Sequence, residues 1–127
     1  MKIRLLFVIM FLFAISCDDA QEEKIVGFWK LETVKTNQNI SNPEQYQTAM
    51  DQLIRTTSIQ FNTDKSFGGT VWGDTSFGYW LIKNDSLIIQ DLSNKNDFSV
   101  LITELTNHKL TLQETVDSVV EVFTFVK

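Results

Sequence analysis

Cysteine, histidine, proline and glycine are all scarce in this chain, and each shortage excludes a class of structure or site. Cys17 is the only cysteine, so the chain can form no internal disulfide and no paired-cysteine metal or redox motif. His108 is the only histidine and falls in a predicted turn. Because no second histidine or cysteine can join it, we interpret it as a turn residue rather than a catalytic base or metal ligand. One proline and five glycines exclude a collagen-like or low-complexity chain.

Basic residues are also few. Without residues 1–16 the chain would carry nine basic and sixteen acidic residues, a formal charge of −7. Nucleic acids and anionic bilayer surfaces attract proteins through basic patches, so we expect neither to bind this chain by charge.

Catalytic motifs are missing as well. The sequence contains no P-loop, no dinucleotide-binding glycine motif and no nucleophile elbow. Four aspartates fall at predicted turns, where Asp is favoured by local hydrogen bonding, and none has the spacing of a calcium loop: Asp64, Asp74, Asp85 and Asp117. We therefore expect no enzymatic activity, no metal and no cofactor.

Residues 1–16 are predicted to be a signal peptide. Lys2 and Arg4 supply the positive start, and the next eleven residues form an unbroken apolar run. This run is too short to span a bilayer, which favours a secretory signal over a transmembrane helix.

Cys17 stands directly after this run and a small residue. The arrangement resembles the lipobox of bacterial lipoproteins, although Ala14 replaces the usual leucine. The resemblance implies that Cys17 carries acyl chains such as palmitate and anchors the protein to a membrane of the bacterial cell envelope, on the periplasmic or surface face of the outer membrane. The alternative is an ordinary signal peptide with a chance cysteine. Residues 17–24 would then be the lipidated N-terminus and a solvated linker, because 18–24 are mostly polar and lack a period.

Residues 25–127 are predicted to form one domain of short strands. Apolar and polar residues alternate in eight stretches separated by turn residues: 25–36, 58–62, 67–72, 77–83, 87–92, 98–105, 109–115 and 119–126. Asn84-Asp85 predicts a two-residue hairpin loop, and Gly68-Gly69 predicts a bulge or sharp bend.

One helix is predicted between the first two strands. Asn42 is a suitable N-cap and Pro43 a suitable first helical residue. Four residues then recur at helical spacing and form one apolar stripe: Tyr46, Ala49, Met50 and Leu53.

Eight strands with short connections favour an all-β, antiparallel up-and-down barrel, which leaves no exposed sheet edge. Gly27-Phe28-Trp29 on the first strand resembles the G-x-W signature of lipocalins. Other stretches are similar to the short lipocalin-like domains of bacterial lipoproteins: 59–67, 78–82, 87–89 and 105–112. The resemblance implies that Trp29 plugs the closed end of the barrel. The arginine that lipocalins carry near the last strand has no counterpart here, where only Lys127 is available.

A barrel of eight strands can be filled by side chains or can hold one small ligand. The predicted interior is bulky, which favours a filled core, and only Thr33, Tyr79 and Arg55 supply polar groups near it. If a cavity exists, we expect Tyr46, Met50 and Leu53 to form a lid over it. The candidate lining residues are Trp29, Leu31, Phe61, Trp80, Ile82, Phe98, Val100, Leu112 and Phe123.

The leading hypothesis is therefore an envelope lipoprotein with a lipocalin-like barrel that binds a small apolar ligand. The alternative is a protein-binding or inhibitory module with a solid core, which would contact its partner through loops or through outward aromatics. Phe28, Trp72 and Tyr79 are the candidates for such outward aromatics.

Overall fold

All eight predicted strands are present in the computed structural model, which describes residues 20–127. The predicted signal peptide, residues 1–16, and Cys17 lie outside the described residues. The strands are β1 (Gly27–Thr36), β2 (Ser58–Phe61), β3 (Ser66–Val71), β4 (Asp74–Lys83), β5 (Ser86–Asp91), β6 (Asn96–Leu105), β7 (Lys109–Val116) and β8 (Val119–Val126). Within residues 20–127 no helix combines the length and the apolar character needed to cross a membrane.

The strands form a closed antiparallel barrel in chain order, which confirms the predicted up-and-down topology. Each strand pairs with the next one along the chain, and β1 pairs with β8 from Lys30↔Val126 to Thr36↔Glu121. Closure gives every strand two neighbours, so the sheet presents no free edge.

The predicted helix is also confirmed, as α1 (Pro43–Arg55) between β1 and β2. The side chain of Asn42 accepts a hydrogen bond from the Gln45 amide at 3.1 Å, and Pro43 begins the helix. The cap and the proline fix where the helix starts. The first backbone N–H groups of a helix have no acceptor inside it; Asn42 accepts from one of them, and Pro43 has no N–H that needs an acceptor.

Three hairpins turn through two residues in left-handed conformation. This geometry is the type I′ turn, whose twist matches that of the flanking strands. The turns are Trp72-Gly73, the predicted Asn84-Asp85, and Asp117-Ser118.

A bulge in β1 changes which residues face the interior. The pairing of β1 with β8 shifts register between Leu31 and Thr33. Beyond the bulge, Val34 rather than Thr33 faces inward, opposite Phe123. Thr33, which was expected to supply a polar group near the interior, therefore does not face it, because one extra residue reverses the alternation.

No register shift occurs at Gly68-Gly69, where a bulge or bend was predicted. These glycines instead allow a close approach between strands. Gly69 has φ +155°, and a β-carbon there would meet the carbonyl oxygen of Ser58. A β-carbon at Gly68 would meet nothing within 4 Å.

Trp29 closes one end of the barrel, here called the closed end. Its ring is fully buried, and Nε1 donates to the carbonyl oxygen of Ile25 at 2.6 Å. Lys127 Nζ lies 5.0 Å from the centre of the ring, a cation–π contact, and donates to the Lys24 carbonyl oxygen at 3.0 Å. Lys127 therefore places a basic group over Trp29, although the chain has no arginine there.

The residues just before β1 are structured, unlike the solvated linker expected up to residue 24. Residues 20–25, here called the N-terminal segment, are helical and lie against the closed end. Glu22 pairs with Lys65, and Gln21 Nε2 donates to Asp85 Oδ1 at 3.1 Å. Ile25 is fully buried, which explains why the segment packs on the barrel instead of remaining in solvent.

Gly69→Ala is predicted to destabilise the domain by about 2–4 kcal/mol, because the new β-carbon meets the Ser58 carbonyl in an unfavourable backbone conformation. The matched control is Gly68→Ala, which adds the same methyl group to open space and should change stability by less than about 0.5 kcal/mol. Urea unfolding of both variants measures the difference. Equal effects would show that the close approach at Gly69 is unimportant.

Candidate functional site

The end of the barrel opposite Trp29 is open and is here called the mouth. Since β1 starts at the closed end and the strands alternate in direction, every connection that follows an odd-numbered strand lies at the mouth. These connections are α1, the Trp72-Gly73 turn, residues 92–95 and the Asp117-Ser118 turn.

A cavity of about 490 Å³ occupies the barrel interior between α1 and the closed end. This finding contradicts the expectation of a filled core. Trp29 and Trp80 fill the closed end, and the half nearer the mouth stays open. The apolar lining consists of Leu31, Val34, Ile59, Phe61, Phe67, Val71, Leu87, Ile89, Phe98, Val100, Leu112, Phe123 and Phe125.

The three residues predicted to form a lid all border this cavity. Tyr46, Met50 and Leu53 lie on the face of α1 that is turned toward the interior. Leu53 is buried, whereas Tyr46 and Met50 are half-buried. Their spacing brings them onto one face because the α-helix repeats every 3.6 residues.

Six of the predicted lining residues border the cavity: Leu31, Phe61, Phe98, Val100, Leu112 and Phe123. The other three, Trp29, Trp80 and Ile82, do not, and for them the prediction was wrong. They are buried in the core because β1 starts, and β4 ends, at the closed end. Trp80 packs edge-to-face on Phe61 with ring centres 5.7 Å apart, which forms a floor beneath the cavity.

The predicted outward aromatics have two different positions. Phe28 and Tyr79 lie on the outer face and are about half exposed. Trp72 is 49% exposed but also borders the cavity, because it stands in the turn at the mouth. Trp72 is therefore a rim residue as well as a surface aromatic.

The polar residues that border the cavity lie near the mouth, and they were not predicted from the sequence. They are Thr57, Ser76, Asp91, Asn94, Glu114 and Glu121. The polar groups expected there, Thr33, Tyr79 and Arg55, do not border the cavity. Tyr79 faces outward, and Arg55 is exposed at the end of α1.

Asp91 is held by hydrogen bonds at the end of β5. The amides of Ser93 and Asn94 donate to Oδ1 at 3.0 and 3.2 Å, and Asn94 Nδ2 donates to Oδ2 at 3.0 Å. Ser76 Oγ donates to Oδ2 at 3.3 Å, across from β4. The carboxylate thus fastens the 92–95 turn to the barrel wall.

Burial by itself raises the pKa of Asp91. Hydrogen bonds from the side chains and amides of Ser93 and Asn94 outweigh burial and hold the pKa below its usual range. Asp91 is therefore a charged group at neutral pH, yet its partners are already supplied by the protein.

Glu114 and Glu121 stand directly opposite each other on β7 and β8. Leu112 and Phe123 form the next inward pair toward the closed end, and period-two alternation puts both glutamates on the same inner face. Among the described residues neither glutamate has an ion-pair partner.

The period-two alternation of the strands could have identified the three acidic residues that border the cavity. Asp91 follows the inward Ile89 by two residues, Glu114 follows Leu112, and Glu121 precedes Phe123 by the same step. The signal in the sequence is a polar residue that stands two positions from an inward apolar residue, at the end of the strand nearer the mouth.

Other candidate sites are weaker. A depression of about 480 Å³ between Lys83 and Ser99 lies on the outer surface of β4–β6 and is open to solvent. In the part of the chain that the structure describes, no three His, Cys, Asp or Glu side chains are grouped closely enough to hold a metal ion. The interior cavity is more enclosed and more apolar than this depression.

Comparison with known proteins supports the fold alone. No protein-family model matches the chain, and no curated protein matches it in sequence. Among solved structures, the chain is similar to a lipocalin-like protein from Bacteroides uniformis, with 14% identity and a TM-score of 0.51. The match covers 79% of this chain and 96% of that protein.

The closed eight-stranded barrel and this structural similarity define the fold. The chain has a lipocalin-like fold, as the sequence resemblance implied. In particular, it is a short barrel with one helix at its mouth and an interior cavity.

Asp91→Asn is predicted to lower the free energy of unfolding by about 1–3 kcal/mol at neutral pH, because it replaces a charged acceptor that receives several hydrogen bonds. Since the pKa of Asp91 is lower in the folded than in the unfolded protein, this stabilisation is complete above the unfolded value, about 3.9. It is lost as the pH falls through the folded pKa. Urea unfolding across pH should show the wild type and variant converging in acid.

The control for this prediction is Asp97→Asn, which removes an exposed carboxylate on the neighbouring strand. It should change stability by less than about 0.5 kcal/mol. A difference between wild type and Asp91→Asn that does not depend on pH would contradict the role assigned to the carboxylate.

Proposed function

We propose that this protein is a lipid-anchored binding protein of the bacterial cell envelope, and that its barrel takes up a small, mainly apolar ligand. The observation that carries the proposal is the cavity of about 490 Å³ beneath α1. Ligand pockets in proteins have volumes of roughly 300–1,000 Å³ and combine an apolar wall with a few placed polar groups. This cavity has both features, with its polar groups near the mouth.

The distribution of polarity favours an amphiphilic ligand. Phe61, Phe67 and Leu87 make the deep wall apolar, whereas Asp91 and Glu121 lie toward the mouth. A ligand with one apolar end and one polar end would bury the first and keep the second near water. Binding without chemistry fits the missing catalytic motifs, so we propose no enzymatic activity.

The membrane anchor is supported by sequence alone. Cys17 follows a predicted signal peptide in a lipobox-like arrangement, and an anchor made of two or three acyl chains holds stably where one chain does not. We propose the bacterial outer membrane as the location, with the domain on its periplasmic or surface face.

A second candidate function is the binding of a protein partner. Phe28, Phe77 and Tyr79 are 50%, 51% and 52% exposed on the outer face of the barrel. Exposed aromatics are enriched at protein interfaces. The interior cavity favours the ligand over this alternative, because a scaffold for a protein partner has no need of an open interior.

Decanol, a neutral apolar probe, is predicted to bind in the cavity. At about 100 times its Kd it should add about 2.7 kcal/mol of stability and raise the melting temperature by roughly 10 °C. Tryptophan emission should shift to the blue, because Trp72 borders the cavity while Trp29 and Trp80 are already buried. Calorimetry and thermal unfolding provide the measurements.

The matched controls are Val100→Trp and Leu101→Trp. Val100 borders the cavity, so a tryptophan there should fill it and abolish binding, whereas Leu101 is 43% exposed on the outside. Decanol should still bind the Leu101 variant. Failure of decanol to bind the wild-type protein would overturn the proposal of an apolar ligand.

Cys17→Ser is predicted to release the protein from membranes, since a serine cannot accept the diacylglycerol. Fractionation of cells that express the full chain should move the protein from the membrane pellet to the soluble envelope fraction. Ala14→Leu, which restores the usual lipobox residue, should leave it in the pellet. Unchanged fractionation of Cys17→Ser would refute the anchor.

A further inference from the structure

The charged residues that border the cavity all have the same sign. They are Asp91, Glu114 and Glu121, and no lysine or arginine borders the cavity in residues 20–127. The basic residues of the mouth elements are exposed and do not border the cavity: Lys95 lies in the 92–95 turn, and Arg55 Nε donates to the Asp51 carbonyl oxygen at 3.3 Å. A ligand entering the mouth therefore meets carboxylates rather than cations.

The three carboxylates do not have the same role. Asp91 is buried and saturated by hydrogen bonds from Ser76, Ser93 and Asn94, so it has little capacity left for a ligand. Glu114 and Glu121 have no such partners among the described residues; Glu114 is exposed and Glu121 is half-buried. The glutamate pair is thus the accessible part of the negative lining.

The position of this pair is costly for an empty barrel. Like charges directly opposite each other on neighbouring antiparallel strands are destabilising. Both glutamates border the apolar cavity at its mouth, where Glu114 is exposed and Glu121 is half-buried, so water screens their repulsion only in part. A positive group placed between them would remove the repulsion and would have the apolar interior beneath it.

We propose that the cavity selects an apolar ligand that carries one positively charged amine group, with the amine between Glu114 and Glu121 and the apolar part toward Phe61. This inference rests on the proposed function and names the ligand class. It also excludes fatty acids as the preferred ligand, because their carboxylate would meet a cavity lining that, within residues 20–127, includes three carboxylates and no lysine or arginine.

Three probes with the same alkyl chain test the charge preference: decylamine, decanol and decanoate. Titration calorimetry at low ionic strength, below the micelle-forming concentrations, should give decylamine a Kd about tenfold lower than that of decanol. Decanoate should bind most weakly. Added salt should reduce the advantage of the amine and leave the affinity for decanol nearly unchanged.

The decisive variant is the double substitution Glu114→Gln with Glu121→Gln. It should bring the affinities for decylamine and decanol to within about twofold of each other. It should also raise the melting temperature of the ligand-free protein, because the facing charges are gone. A merely structural role for the pair would not produce both effects.

The matched control is Glu23→Gln with Glu32→Gln. Both residues are exposed, and neither borders the cavity. This double variant changes the net charge by the same amount and should keep the full preference for decylamine, which separates a local effect from attraction by the acidic protein as a whole.

The outcomes distinguish this inference from the function on which it rests. If decanol binds but decylamine binds no tighter, or if decanoate binds as well as decylamine, the charge preference is overturned and the apolar cavity remains. If none of the three probes binds, the proposed function falls and this inference falls with it. The inference is supported if the Glu114/Glu121 variant loses the preference for decylamine over decanol and the Glu23/Glu32 variant keeps it.

Discussion

The pairing of β1 with β8 is the constraint on which the other features depend. It joins the two ends of the sheet, removes both edges and turns one face of every strand into an enclosed interior. The bulge after Leu31 lies within this pairing and brings Val34 inward beside Phe123. The same contact that closes the barrel therefore also sets part of the cavity wall.

The two ends of the barrel differ in packing and in polarity. At the closed end, Trp29 and Trp80 bury large rings, and each has a lysine over its face, Lys127 and Lys65. Their indole N–H groups donate to backbone carbonyl oxygens, so little polar capacity is left there. Near the mouth the cavity stays open, and the facing glutamates Glu114 and Glu121 offer acceptors that no described ion pair uses. The closed end is thus packed for stability, and the proposed binding site occupies the other half of the same sheet.

Strand order and helix position could be predicted from the sequence because both depend on local patterns: alternation, capping residues and turn pairs. The position of Trp29 at the closed end followed from the resemblance to the lipocalin G-x-W signature. The cavity could not, because its volume depends on where along each strand the large side chains stand. Trp80 and Ile82 have the right alternation but lie too deep to border it. The bulge after Leu31 was not predicted, because no residue type in the sequence marks it. One extra residue in β1 is nevertheless enough to exchange its inward and outward faces.

The position of the N-terminal segment bears on how the barrel would be oriented relative to a membrane. Its residues 20–25 lie on the closed end, tied there by Glu22 and Ile25. Cys17 precedes Ala20 by three residues, which can reach at most about 11 Å. If acyl chains hold Cys17 in a bilayer, the barrel stands on its closed end and its mouth points away from the lipid. A ligand of the cavity would then enter from the surrounding water and would not pass directly from the membrane into the barrel.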